Sequence, residues 1–336
     1  MDGFRKTLAV ICAVLFTITA MIAVFMFTFD RRAFTAHTYQ NAFDHDDFYN
    51  KLPGLMADVL TATDADQSQF PAVMQSLGRD SWEIFFRNLL PGETLKTMGD
   101  EALQSTFAYL NMESDSAQFT LTPLKTSLAS EAGLQAVYSL LASLPDCTII
   151  QIAEMTLNHL SGGEIKLCNP PAELYPLMTP IIELQLEITA AAIPDQLNII
   201  TAPPQKDPRQ SLKIARLIMR LSPLLPLGFL LALTLFAVRS FKGLLHWWGI
   251  PFFATGLLAT VLSLLSMFAF GTILQGMIVN RLPEYLPVIL LDYGTDLAAA
   301  ILKALLTPIL FIGIFLTMIG VGMVLAGNFV KERKAR

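Results

Sequence analysis

Residues 249–279 read GIPFFATGLLATVLSLLSMFAFGTILQGMIV, a run without one charged side chain. A bilayer core of ~30 Å needs ~20 helical residues rising ~1.5 Å each. A buried helix of a soluble domain rarely stays apolar for so long, so the run predicts a membrane span. Working outward, three further charge-free stretches qualify: Thr7 to Phe29, Leu221 to Val238, and Ala304 to Val330. The composition agrees, with 53% hydrophobic and 15% charged residues, against roughly a quarter charged in soluble domains.

Lysine and arginine near the span ends set the expected orientation. Arg5 and Lys6 precede the first span. Arg239 and Lys242 lie between the second and third, beside Trp247 and Trp248, and four basic residues crowd the segment 331–336. The opposite short loop has Arg281 against Glu284, Asp292 and Asp296. Both termini are therefore expected in the cytoplasm. The first apolar run exceeds the ~7–15 residues of a secretory signal, so it is expected to remain as an anchor.

The expected organisation is a cytoplasmic amino terminus (1–6), span one (7–29), an extracytoplasmic helical domain (30–212) and span two (217–238). A cytoplasmic loop (239–248), span three (249–279), an extracytoplasmic loop (280–297), span four (298–330) and a cytoplasmic tail (331–336) follow. The fold class is mostly α.

Within the domain, Asp44 to Thr61 reads as a capped amphipathic helix, and Ser81 as the cap of a helix through Leu89. Pro91 to Asn111, the segment around Leu134 to Leu144, Cys147 to Asn158 and Ala172 to Ala192 read as further helices. Gln118 to Thr122 and Gln196 to Thr201 alternate apolar and polar residues, and are expected to pair as a small two-stranded sheet near the membrane.

The domain carries ten Lys/Arg against twenty-three Asp/Glu between Asp30 and Ser211, which argues against nucleic acid or anionic lipid headgroups as partners. Cys147 and Cys168 are the two thiols available there, and an oxidising compartment predicts their disulfide; Cys12 reads as a small apolar packer within span one. Arg209, Lys213, Arg216 and Arg220 form one positive stripe on the helix entering span two. That stripe is expected either to stay exposed in contact with headgroups or, the favoured reading, to dock on the acidic domain or on Asp292 and Asp296. Gly313, Gly320 and Gly327 recur every seven residues, a face that lets helices approach closely. Spans three and four are longer than a bilayer requires, so they are expected to tilt or to project beyond it.

No motif here carries chemistry. The spans lack ionisable groups at depth apart from Lys303 near an end, so transport by the chain alone is not expected. His37, His45, His159 and His246 show no metal-ligand spacing. Asp44-His45-Asp46-Asp47 reads as a helix-start acidic cluster, and Asp64 to Ser68 lacks the glycine and glutamate of a calcium loop. The nucleophile elbow, the P-loop and the dinucleotide fingerprint are absent. No catalytic, cofactor or metal residue is assigned.

Asp30-Arg31-Arg32, Leu-Pro-Asp-Cys at 144–147 and Cys168-Asn169-Pro170-Pro171 resemble a group of uncharacterised bacterial four-span membrane proteins with one large helical extracytoplasmic domain. The resemblance covers most of the chain and implies no activity. The topology is also similar to macrolide-exporter type ABC permeases, without their ATPase or β-rich parts. The expectation is a non-enzymatic protein of the bacterial cytoplasmic membrane that binds or positions a protein partner, an accessory subunit of an envelope complex. The alternatives are an outer-leaflet enzyme or lipid-binding protein acting on lipid-linked or cell-wall material, and a permease-like subunit needing a separate ATPase. Membrane lipid is an expected partner in each case.

Overall fold

The charge-free runs fold as helices, since a backbone without water around it must satisfy its N–H and C=O groups internally. A computed structural model describes residues 2–62, 77–148, 151, 168–201, 207–238, 240–279 and 288–329. Of the expected helix at 147–158, Cys147 and Thr148 are described and are not helical; residues 149–150 and 152–158, His159, the 64–68 segment, the start of the 280–297 loop and the tail from 330 lie outside the described residues.

The described elements are α1 (Asp2–Ala33), α2 (Ala36–His45), α3 (Phe48–Ala62), α4 (Arg79–Leu89) and α5 (Gly92–Leu110). Then come β1 (Ser116–Thr120), α6 (Thr122–Leu128), α7 (Glu131–Ala142), a single 3-10 turn at Ala172–Leu174, α8 (Tyr175–Ala192) and β2 (Gln196–Thr201). The chain ends in α9 (Arg209–Leu221), α10 (Leu224–Ala237), α11 (Phe241–Val279) and α12 (Val288–Phe329). The protein is mostly α. Four helical passages are long and apolar enough to cross a membrane: Phe4–Ala33, Arg209–Ala237, Phe241–Phe270 and Tyr293–Phe329.

The two strands pair antiparallel, Phe119 opposite Leu197 and Thr120 opposite Gln196, with a bulge between Ala117 and Gln118. Two other expectations shift. Asp44 lies inside α2 rather than at the start of α3, because Asp47 adopts a left-handed φ of 53° that breaks the helix between them. Ser81 sits within α4, which starts at Arg79, where the Arg79 guanidinium bonds Glu83 one turn on at 2.7 Å and Asp58 at 3.2 Å. Span two is not one helix either. Pro223 follows a turn at Ser222, so amphipathic α9 and apolar α10 divide the passage.

The domain core has two centres. Tyr49, Leu89, Leu90, Leu95, Met98 and Leu121 fill one between α3, α4 and α5. Trp82, Leu140, Leu141 and Leu144 fill the other, with Phe86 stacked on Trp82 at 5.7 Å. Each fully buried side chain of this kind contributes ~1.5–3 kcal/mol. Cys147 and Cys168 lie at disulfide distance, closing the chain ahead of α8.

In the membrane region α11 and α12 form a long antiparallel hairpin. A Cβ added at Gly256 would stand 2.4 Å from the backbone nitrogen of Thr317, and one at Gly320 would stand 2.4 Å from that of Phe253. Gly249 and Gly256 thus face Gly320 and Gly313, backbone against backbone. Gly327 is looser, with Leu245 Cβ 3.4 Å away. The free thiol Cys12 is buried with Ala9 and Leu233, against which Trp247 and Trp248 pack. At 39 and 42 residues, the hairpin arms run to about 58 and 63 Å. The longer arm projects into the domain, where the Tyr293 hydroxyl donates to the Phe48 carbonyl at 3.4 Å.

Candidate functional site

Among the described residues, the junction of domain and spans holds two buried charged groups, Asp30 and Arg209. Asp30, in the last turn of α1, is 2% exposed. A carboxylate so buried requires paired donors. Arg216 Nε supplies one at 2.9 Å and Arg220 Nε the other at 2.8 Å. Arg216 also bonds the Asn111 side-chain oxygen and lies over the Phe34 ring at 4.6 Å.

At the start of α9, two turns before Arg216 and on the same face, lies Arg209, itself buried. Its guanidinium donates to the Tyr109 carbonyl at 3.1 Å and the Ser114 carbonyl at 2.7 Å, covers the Tyr109 ring at 4.3 Å, and pairs with Asp207 at 2.7 Å. The end of α5 is where carbonyls lack intrahelical partners and the helix dipole is negative, so a cation is favoured there. Three members of the expected stripe, Arg209, Arg216 and Arg220, therefore contact the domain and span one, whereas Lys213 makes no ion pair among the described residues. Asp296 lies on a different surface, and nothing is described of the Asp292 side chain.

Beside this lock is a cavity of about 890 Å³ lined by Lys213, Arg216, Arg220, Asn111, Phe34 and Met112. Two of its three cations are already committed to Asp30, which leaves little charge for a ligand.

A larger groove of about 1420 Å³ opens between α2 and the hairpin. Arg32, Asp46, Asp296 and Lys303 line it together with Phe268 and Phe311. Arg32, Asp296 and Lys303 make no ion pair among the described residues, while Asp46 reaches Lys51 at 3.5 Å. The 44–47 cluster is otherwise used internally: Lys96 bonds Asp44 at 2.8 Å, and Asn50 bonds Asp47 at 2.7 Å.

A third surface was invisible to motif reading. Helix α8 turns Ile182, Leu186 and Ala190 inward. On its opposite face Leu177, Ile181, Leu184 and Ile188 stand 70%, 52%, 58% and 56% exposed. A helix apolar on both faces is normally covered on both. Pro180 sits within α8, and Tyr138 of α7 anchors its first turns through Thr179 at 2.6 Å. β2, which follows, is exposed along its whole length, with Leu197, Ile199 and Ile200 bare. The periodicity that revealed α8 did not reveal which face would stay open.

Among the described residues no group of three His, Cys, Asp or Glu side chains could hold a metal ion. Asp100 in the domain is half-buried, next to Tyr49 and Asp44; desolvation chiefly, and then the Asp44 carboxylate, push its carboxyl above the ordinary aspartate value. Burial and the same acids push the Tyr49 phenol well up. Neither opens into the groove or the cavity described above.

No family model matches the chain, and neither a curated protein nor a solved structure is similar to it.

Proposed function

We propose that the chain is a non-enzymatic anchor that holds a partner-binding domain at the outer face of a bacterial cytoplasmic membrane. Both termini would lie in the cytoplasm and residues 30–212 outside. The basic residues at 5–6, 239–242 and 331–336 support this orientation. So does the Cys147–Cys168 pair, which fits an oxidising compartment.

The observation that carries the reading is the bare stripe of Leu177, Ile181, Leu184 and Ile188 on α8. Contiguous apolar faces of this kind mark interaction sites. Helices that lie on bilayers carry Lys and Arg on their polar face. Helix α8 has neither, and its only charges are Glu183 and Glu187. The stripe therefore suits an apolar protein surface rather than lipid headgroups. The open strand β2 offers the same partner a backbone edge.

The test is a photoreactive amino acid placed at position 184 of the full-length protein in its native membrane, with position 131, exposed at the start of α7, as control. One heterologous protein joined at 184 and not at 131 supports the proposal. Crosslinks to lipid alone, or to a second copy alone, overturn it.

A further inference from the structure

We infer that the groove between α2 and the α11–α12 hairpin binds one phospholipid of the domain-side leaflet, with a primary ammonium in its head group. This site is independent of the α8 surface and does not rest on its reading.

Asp296 lies near the domain end of α12, Lys303 two turns deeper, and Phe311 two turns deeper again, all on one groove wall. Fifteen residues of helix span about 22 Å, whereas one leaflet of hydrocarbon is about 15 Å thick. The groove thus runs from the charged boundary to the depth of the acyl chains. Its wall changes character at the matching level: charged residues at the top, exposed Phe268 and Phe311 below.

The charges are also of both signs. Arg32 and Lys303 are two cations without an internal partner among the described residues, suited to a phosphate. Asp296, equally unpaired there, and Asp46, held loosely by Lys51 at 3.5 Å, are acceptors for an ammonium. A phosphate diester beside a primary amine presents this combination. A quaternary ammonium cannot donate hydrogen bonds to the carboxylates, and a glycerol head group brings no cation to them. Unlike the arginines that hold Asp30, these groups are not consumed by the fold.

The experiment is native mass spectrometry of delipidated full-length protein titrated with phosphatidylethanolamine, phosphatidylcholine or phosphatidylglycerol. The expected result is one phosphatidylethanolamine bound about tenfold more tightly than either other lipid. Lys303→Ala and Asp296→Asn should each weaken it by about tenfold, with Lys303→Arg restoring most of the affinity. Both side chains are exposed, so the thermal midpoint of lipid-free protein should not move. Equal binding of the three lipids, or variants that bind as wild type, would overturn the inference.

Discussion

Arg220 Nε donates to Asp30 Oδ2 at 2.8 Å across 190 residues of sequence, tying the end of the first span to the start of the second. Arg216 completes the pair, and the two arginines differ in burial, 14% exposed for Arg216 and 58% for Arg220. Removing one partner of a buried pair costs ~3–5 kcal/mol because the other charge is stranded, whereas an exposed partner contributes ~0–1 kcal/mol. Thermal unfolding in detergent should therefore show Arg216→Ala losing about 3 kcal/mol and Arg220→Ala under ~1 kcal/mol. Asp30→Ala should be at least as severe as Arg216→Ala. Equal effects of the two arginine variants would refute the assigned geometry.

The hairpin glycines make a second contrast. Alanine in place of glycine favours a helix by ~1 kcal/mol, but overpacking costs ~1–3 kcal/mol. At Gly256 the new methyl would meet Thr317 backbone at 2.4 Å, and rigid backbone cannot yield. At Gly322 nothing lies within 4 Å. Gly256→Ala should lower the denaturation midpoint in detergent, and Gly322→Ala should leave it unchanged or raise it. Gly327→Ala, with 3.4 Å to the nearest side chain, belongs with the tolerated class.

Much of this architecture was legible because it depends on local pattern. Charge-free runs mark helices in lipid without knowledge of their neighbours, and alternation in 118–122 and 196–201 marked two strands within two residues of their observed ends. What pairs across long separations was less so. That Arg216 and Arg220 choose Asp30, rather than Asp296, depends on how α9 leaves the domain, and twenty-three acids offered too many partners. The groove arises from three segments, α1, α2 and the hairpin, that no single stretch of sequence juxtaposes. The bare face of α8 was hidden because periodicity reports two apolar faces, not which one the fold covers.

The pairing of Cys147 with Cys168 closes a loop of 21 residues, worth ~3 kcal/mol in the chain-entropy account. Cys147→Ser should lower the domain's thermal midpoint, and reductant should reproduce that loss in the native chain. Cys12, buried among apolar groups of the first span, should remain unreactive to a polar thiol reagent until the protein unfolds. A reductant-insensitive midpoint would show that the bond does not constrain the unfolded chain.

Two acids of the domain set opposite pH dependences. Arg87 and Arg79 hold the Glu83 carboxyl below its usual range, so its contribution is present above the unfolded glutamate pKa of ~4.3 and is lost as pH falls through the folded value. Asp100 is the reverse: burial, then Asp44, raise it. Folding is therefore favoured by Asp100 most fully below the unfolded aspartate pKa of ~3.9, and that advantage disappears as pH rises through the raised value. At pH 7 the ionised Asp100 is a net burden. Asp100→Asn, which keeps the shape and removes the charge, should then raise the midpoint at pH 7, on the order of 2 °C for a gain under ~1 kcal/mol, and have less effect at pH 4. Glu83→Gln should do the opposite, lowering the midpoint at pH 7 and converging on wild type in acid. Measuring both variants by thermal unfolding from pH 4 to 8 separates the two groups, because a general loss of packing would shift the curves in parallel instead of letting them converge in acid.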